Sequence, residues 1–311
     1  MSCDKISYPM ADSREQIKNI LNYFKNSRRM RQGLTCAVVL ILLITIAGYV
    51  SHCTRQVPDS YSSHPPPTFE IYPREEITPF RRIPESPATL PKVAIIIDDI
   101  GYDRRIAKKF LSLDAALTLS VLPQSPFRKQ ILRRAKANGT QIMLHLPMEP
   151  IEYPGVNPGP GALLTAMSPE QIRQRLRKHL DAMPSVRGVN NHMGSRMTAI
   201  PNKMYQILTV LKTRNLFFID SFTTEESLCR SSARVLQVPF AQRDVFLDHV
   251  QTPDFIRRQI RRLIHIANDY GEAIGIGHPH TETYEVLRDT LPELRKKVRL
   301  VPASELVHTI G

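Results

Sequence analysis

The stretch Val93-Ala-Ile-Ile-Ile-Asp-Asp-Ile-Gly101 decides the fold of this chain. Five apolar residues, most of them β-branched, run without alternation into two adjacent carboxylates. Such a run is typical of a strand that is buried on both faces, as in a parallel sheet. Asp98 and Asp99 then lie where the strand ends, and α/β folds bind their ligands at that end. One carboxylate can hold a metal while the other takes a proton, although an Asx turn would explain the same pattern.

The composition limits the class of protein and its partners. The chain has 311 residues, 42% of them hydrophobic, and a formal net charge of +13. This length permits one large α/β domain with appendages, and the charge favours contact with anionic surfaces. No Walker loop, GxGxxG or GxSxG motif occurs, and the four cysteines have no metal or redox spacing. No nucleic-acid-binding module is recognisable either, so we expect no nucleic-acid partner.

The residues before this stretch divide into three segments by composition. Residues 1–32 are polar and become basic towards their end, whereas residues 33–50 carry no charge. A bilayer core needs about 17–25 apolar residues, so residues 33–50 just suffice, with a buried soluble helix as the alternative. The basic flank predicts a cytoplasmic N-terminus. Residues 51–91 contain nine prolines and predict an extended linker.

We therefore expect a single-pass protein of the inner (cytoplasmic) membrane with an uncleaved anchor. The domain that follows, residues 92–311, would lie in the periplasm or outside the cell. In this domain eight apolar runs predict strands: Val93–Ile97, Leu117–Leu122, Gln141–Leu146, Gly188–Asn190, Leu216–Ile219, Val245–Leu247, Ala273–Ile276 and Val298–Val301. Helical patterns separate them, among them one that Ser168 and Gln171 begin with a capping box. This alternation predicts a parallel α/β sheet, open or closed into a barrel.

Histidines lie at or just past the ends of several predicted strands. If the sheet closes, they would converge with Asp98 and Asp99 on one mouth. Imidazole and carboxylate together suit zinc or a similar transition metal. Glu149, four residues after His145, could join the same ion, although an exposed loop acid is the alternative. The histidines are His145, His192, His249, His278 and His280.

Taken in order, four motifs resemble the divergent polysaccharide deacetylase family, which is related to NodB-like polysaccharide deacetylases. They are Asp-Asp, His-x-x-x-acid, Asn-His-Met-Gly-Ser and a late Gly-His-Pro-His. The resemblance extends from about Lys92 to the C-terminus. It implies a distorted (β/α) barrel of seven or eight strands. It also implies a metal-dependent hydrolase that removes acyl groups from an amino-sugar polymer of the cell envelope, such as a peptidoglycan-like glycan.

The resemblance also implies a role for each motif residue. Asp98 would be the catalytic base and His278 the general acid. The divalent metal, with zinc the preferred candidate, would be held by Asp99, His145, His192 and Glu149. Substrate contacts are predicted for Asn191, Ser195 and His280.

The chain departs from the family motifs at three points. Ile100 separates the aspartates from Gly101, Glu149 replaces the second histidine of the ligand pair, and no Arg-x-x-Pro motif occurs around His192. These departures motivate an alternative, a catalytically silent barrel that binds glycan or serves as a scaffold. A metal phosphoesterase is a third candidate, because histidine and carboxylate sites also serve phosphoryl transfer.

Overall fold

The computed structural model describes residue 18 and residues 90–311, and the fold given below is that of residues 90–311. The predicted basic tail and the predicted anchor at residues 33–50 lie outside this range, as does nearly all of the predicted linker. Within the described part, no helix is both long and apolar enough to cross a bilayer.

Nine strands form one parallel sheet in residues 90–311. Their order is β6-β5-β4-β3-β2-β1-β8-β7, and β9 pairs with the start of β1. Each of the eight predicted strands overlaps an observed one; the additional strand is β6, which lies between Pro239 and the polar run Gln242–Asp244 and so has no continuous apolar run. The strands are β1 (Lys92–Ile100), β2 (Leu117–Val121), β3 (Gln141–Met148), β4 (Gly188–Met193), β5 (Phe217–Asp220), β6 (Phe240–Gln242), β7 (Val245–Phe246), β8 (Glu272–Gly277) and β9 (Arg299–Leu300).

Seven α-helices lie between these strands in the described range. The predicted capping box is present, since Ser168 accepts from the Gln171 backbone and the Gln171 side chain accepts from the Ser168 backbone. The helices are α1 (Arg104–Leu111), α2 (Arg128–Asn138), α3 (Pro169–Asp181), α4 (Pro201–Thr213), α5 (Cys229–Leu236), α6 (Pro253–Tyr270) and α7 (Thr281–Lys297).

The two faces of the sheet pack into two separate apolar cores. On β1, Ile95 and Ile97 belong to the larger core, which the helices share, whereas Ile96 belongs to a smaller inner core. The inner core also contains Ile219 of β5 and Phe246 of β7, although β5 and β7 lie near opposite ends of the strand order. The sheet therefore curls into an incomplete barrel. Burial on both faces explains why β1 has no polar alternation.

Residues 240–246 connect the two edges of the curled sheet. The first part, β6, pairs with β5, and the second part, β7, pairs with β8. Between them the Arg243 N–H donates to the Asp220 carbonyl at 2.9 Å, and the next amide, that of Asp244, donates to the Ile274 carbonyl at 2.9 Å. The buried Arg243 guanidinium also lies 3.7 Å from the centre of the Phe246 ring. One segment thus supplies hydrogen bonds to both edges.

A bulge ends β1 at its two aspartates. In a regular strand, neighbouring side chains point to opposite faces, so Asp98 and Asp99 would be separated. The register with β2 instead shifts between Ile97 and Ile100, and Asp99 adopts a φ of 52°. The bulge turns Asp99 towards histidines of β3 and β4 while Asp98 stays on the inner face. Gly101 follows at a φ of 143°, where a Cβ would lie 2.0 Å from Ser125 Oγ.

Candidate active site

Three potential ligand atoms converge at the mouth of the barrel, where the strands end. Asp99 Oδ1 lies 3.2 Å from His145 Nε2 and 2.9 Å from His192 Nδ1, and the two nitrogens are 3.2 Å apart. Both histidine side chains are fully buried, and Asp99 is 10% exposed. We call Asp99, His145 and His192 the ligand group. Because strands β1, β3 and β4 contribute one residue each, the group depends on the pairing of β1 to β4.

The ligand group fits a small divalent metal ion. Zinc bonds to oxygen and nitrogen of about 2.0–2.1 Å place neighbouring tetrahedral ligand atoms about 3.3 Å apart, close to the spacings observed. Asp99 Oδ1 is buried and makes no regular hydrogen bond, although a ring nitrogen of each histidine lies close to it. A buried carboxylate oxygen without a donor is costly, and a cation would satisfy it.

Asp99 is in the charge state that a metal ligand needs. Burial, the largest single influence, would raise the pKa of its carboxyl group. The charge of His192 and the close contacts with His145 and His192 together outweigh burial, and the pKa lies well below its ordinary value. The carboxylate is therefore ionised at neutral pH, as coordination requires.

A second aspartate–histidine group comprises Asp248, His278 and His280, which we call the acid group. His278 Nδ1 lies 2.8 Å from Asp248 Oδ1, while Oδ2 accepts from the His278 backbone N–H and from Thr283 Oγ1. Burial would raise the pKa of Asp248, but the charge of His278 and these hydrogen bonds lower it overall. Asp248 is thus an ionised carboxylate that holds the His278 ring from its Nδ1 side.

Sequence reasoning missed Asp248. It named His249 instead, whose ring packs edge-on against Phe255 at 4.4 Å between centroids and belongs to neither group. A signal was available, since Asp248 stands just past a strand end, as Asp98 and Asp99 do. The prediction that His278 and His280 lie at a strand end is confirmed, because β8 ends at Gly277.

Sequence reasoning also missed Asn190, which lies beneath the ligand group. Its Nδ2 donates to Asp98 Oδ1 and Oδ2 at 2.8 and 2.9 Å. Its Oδ1 lies 3.0 Å from His145 Nδ1 and accepts a hydrogen bond from Ser120 Oγ. Asn190 is two residues before His192 on β4, so the alternation of side chains along the strand could have placed both on the inner face.

Asp98, the predicted base, is fully buried within this polar layer. Besides its contacts with Asn190, its Oδ1 lies 3.7 Å from His145 Nδ1. Asp98 therefore lies on the side of the His145 ring opposite the ligand group. Its role as base stays a prediction.

Glu149, the predicted fourth ligand, has other partners. Its carboxylate accepts from the Thr165 backbone N–H at 2.6 Å and from Thr165 Oγ1 at 2.9 Å, and Arg196 Nη1 lies 3.5 Å away. It is not among the residues that converge on Asp99. The carboxylate thus links the loops that follow β3 and β4, and we leave Glu149 out of the metal site proposed below.

Asn191 and Ser195, predicted substrate contacts, also have internal partners. The Asn191 amide is fully buried, accepting from the Ser221 N–H at 2.9 Å and donating to the Met193 carbonyl at 2.8 Å. Ser195 Oγ accepts from the Ile151 N–H at 3.0 Å. These bonds shape the turn after β4, and the substrate-binding roles stay predictions.

Comparison with known proteins agrees with the family resemblance of the sequence. A family model described as divergent polysaccharide deacetylase matches residues 95–307. Uncharacterized protein YibQ of Escherichia coli is 34% identical over 223 residues, which cover 72% of this chain and 69% of that protein. An uncharacterized protein of Haemophilus influenzae is 33% identical over 215 residues, 69% of this chain and 76% of that protein.

A solved structure has the same fold. The crystal structure of an uncharacterized protein from Agrobacterium tumefaciens superposes with a TM-score of 0.68 at 28% sequence identity. The match covers 72% of this chain and 92% of that chain.

Proposed function

Since this chain belongs to the divergent polysaccharide deacetylase family, we propose that it removes acyl groups from an amino-sugar polymer of the cell envelope. The observation that carries the proposal is the convergence of Asp99 Oδ1, His145 Nε2 and His192 Nδ1, with spacings of 2.9–3.2 Å. Attack of water on the carbonyl carbon of the N-acyl group would break its C–N bond and leave a carboxylic acid and a free amine.

The ligand group would hold the divalent metal of this reaction. Zinc is the ion we propose, because two imidazoles and one carboxylate are a donor set that suits it. When bound, such an ion polarises the amide carbonyl and lowers the pKa of coordinated water towards about 7.

Two residues of the chain would move the protons. Asp98 would accept a proton from the attacking water, and His278 would donate one to the departing nitrogen. The ionised Asp248 carboxylate, 2.8 Å from His278 Nδ1, fixes the orientation of this imidazole. The acid group therefore supplies the proton that the new amine requires.

The proposal includes a location. Residues 33–50 would anchor the chain in the inner membrane, and the proline-rich residues 51–91 would carry the domain on the periplasmic or extracellular side. The substrate would then be a peptidoglycan-like glycan within reach of the membrane. The uncharged segment, its basic N-terminal flank and the prolines support this part of the proposal.

Elemental analysis combined with an acetate assay tests the proposal on the full-length protein in detergent. We expect about one equivalent of metal per chain, and release of acetate with new amines from chitooligosaccharides or peptidoglycan. Asp99→Ala should lose both, whereas Asp114→Ala, which removes a 98% exposed carboxylate, should lose neither. Absence of stoichiometric metal from the wild-type protein, together with no acetate release, would overturn the proposal.

A glycan-binding barrel without catalysis is the second candidate. The observation that favours it is the burial of Asp98, whose two carboxylate oxygens both accept from the Asn190 amide. On this alternative the wild-type protein would bind glycan and release no acetate. An Asp98→Asn, His278→Ala double variant would then retain the same affinity for the glycan.

A further inference from the structure

Asn190 connects the Asp98 carboxylate to the inner nitrogen of His145. We propose that Asn190 is a positioning residue that sets which ring nitrogen of His145 is available to a metal ion. This inference rests on the metal site of the proposed function, and it adds a residue for which the sequence predicted no role.

The position of Asn190 follows from strand register. Asn190 of β4 and His145 of β3 are direct partners in the parallel ladder, and both side chains are fully buried. The side chains are therefore neighbours because of the sheet itself. His192, two residues further along β4, supplies the next ligand on the same face.

The orientation of the Asn190 amide follows from Asp98. In either protonation state of Asp98 at least one carboxyl oxygen can only accept, so the amide atom that faces both oxygens, at 2.8 and 2.9 Å, must be the Nδ2 donor. The opposite orientation would set the amide oxygen against two carboxylate oxygens. The Asn190 carbonyl oxygen must therefore face Ser120 and His145.

This orientation determines the tautomer of His145. Asn190 Oδ1 can only accept, so the His145 nitrogen 3.0 Å away, Nδ1, must carry the proton. In a neutral ring the lone pair then resides on Nε2, the atom 3.2 Å from Asp99 Oδ1. Metal-ligating histidines usually donate their second N–H in this way, and loss of the acceptor typically costs 10–100-fold in metal affinity.

Asp98 acts on His145 mainly through Asn190. Its nearest oxygen lies 3.7 Å from His145 Nδ1, beyond hydrogen-bond reach, whereas Asn190 Oδ1 lies at 3.0 Å. Asp98 therefore has a structural role, since it fixes the amide orientation. Replacement of Asn190 should affect the metal site even in protein that carries no substrate.

Three variants of the full-length protein separate the contacts of Asn190. Asn190→Leu removes both the acceptor for His145 and the donor to Asp98. Asn190→Asp keeps an acceptor for His145 and replaces the donor by a second carboxyl oxygen, so that the new carboxyl group shares a proton with Asp98. Ser120→Ala removes the other hydrogen bond to Asn190 Oδ1 and leaves the contact with His145 in place.

Two measurements test the inference without turnover. The first is zinc affinity, obtained by titrating metal-free protein against a competing chelator. We expect Asn190→Leu to bind zinc about 10–100-fold more weakly, and Asn190→Asp and Ser120→Ala to stay within about threefold of wild type. Equal losses for Asn190→Leu and Asn190→Asp would overturn the inference, because the two variants differ in the acceptor.

The second measurement is the imidazole nitrogen spectrum of protein labelled with 15N-histidine, recorded without metal at mildly alkaline pH. The His145 resonances should show the Nδ1–H tautomer in wild type and Asn190→Asp, and should lose it in Asn190→Leu. An Nε2–H tautomer in wild type would overturn the inference even if Asn190→Leu does not fold. If wild type shows the Nδ1–H tautomer but releases no acetate, the proposed activity fails and the role of Asn190 stands.

Discussion

The mouth of the barrel holds two aspartate–histidine groups that differ in what their carboxylates already bind. In the acid group, Asp248 receives hydrogen bonds from the backbone and side chain of His278 and from Thr283. In the ligand group, Asp99 Oδ1 is buried without an aligned donor, although two imidazole nitrogens lie within 3.2 Å. The aspartate of the acid group thus accepts several hydrogen bonds, whereas one oxygen of the aspartate in the ligand group accepts none.

Under the proposed function, this difference separates the metal site from the proton-transfer pair. Proximity alone does not separate the groups, since each brings three potential ligand atoms within 4.8 Å of one another. The hydrogen bonds separate them: a carboxylate saturated by donors orients its histidine, whereas one without a donor requires a cation. The proposed function accordingly gives coordination to the ligand group and proton donation to the acid group.

The largest expected effect is the loss of turnover without loss of metal. Removing a general acid typically lowers the rate about 10²–10⁴-fold, so we expect this decrease in kcat for His278→Gln. Asp248→Asn should also lower kcat, because the ring loses its ionised partner. Metal content measured on the same samples should stay at the wild-type value. If a substitution in the acid group lowered the metal content of the protein, the proposed separation of metal binding from proton donation would be contradicted.

The next largest effect is on metal affinity, and it compares a histidine-to-alanine substitution in the ligand group with one in the acid group. His192→Ala removes a ligand and should weaken zinc binding by more than about 100-fold, beyond the loss expected from an outer partner. His280→Ala, the matched change in the acid group, should leave zinc affinity within about threefold. Competition titrations measure both, and similar losses in the two variants would show that both groups coordinate.

A smaller effect is expected on stability. Zinc at 100 times its dissociation constant should raise the free energy of unfolding by about 2.7 kcal/mol if it binds only the folded chain. Wild type and Asp248→Asn should both gain this stability, and Asp99→Ala should not. Urea unfolding with and without zinc measures this gain in stability. If Asp99→Ala showed the same gain, zinc would be bound at a second site.

The smallest effect concerns His179, a buried histidine of α3 outside both groups, whose Nε2 lies 2.8 Å from the Gly161 carbonyl oxygen. Burial lowers its pKa, the hydrogen bond to Gly161 partly offsets this, and nearby arginines lower it further. Around and just below pH 6.5, His179 therefore binds a proton more readily in the unfolded chain than in the folded chain. Stability should fall as the pH drops below about 6.5, until the lower folded pKa is reached.

For one proton this slope is at most about 1.4 kcal/mol per pH unit. His179→Gln should lack this contribution, and urea unfolding at several pH values compares its slope with that of wild type. Identical slopes would show that His179 does not titrate differently in the folded and unfolded chains. The His179 slope shows how much pH dependence a buried histidine outside both groups contributes to stability.

The sequence predicted the sheet better than it predicted the site. Continuous apolar runs are a strong signal for parallel strands, and every predicted strand overlaps an observed one. β6 was missed because Phe240–Gln242 follows a proline and ends in a polar residue, so it has no continuous apolar run. The predicted count of seven or eight strands was therefore low by at least one.

Within the site, sequence reasoning missed two residues that are the chain neighbours of residues it named. The sequence suggested Asn191 and His249, whereas the structure joins Asn190 to the ligand group and Asp248 to the acid group. Strand alternation would have found Asn190 by counting back from His192. The placement of Asp99 was less accessible, because it depends on a bulge that a regular strand pattern does not reveal.

The left-handed backbone at Asp99 has an evolutionary consequence. A residue other than glycine at a φ of 52° costs of the order of 1–3 kcal/mol, whereas glycine adopts this conformation freely. Mutation to glycine would thus relieve the backbone while it removed a carboxylate from the mouth. In a lineage that no longer needs the proposed metal ion, the gain in stability should favour glycine at this position. An aspartate kept at this position in related proteins would indicate selection for the function of its carboxylate at a cost in stability.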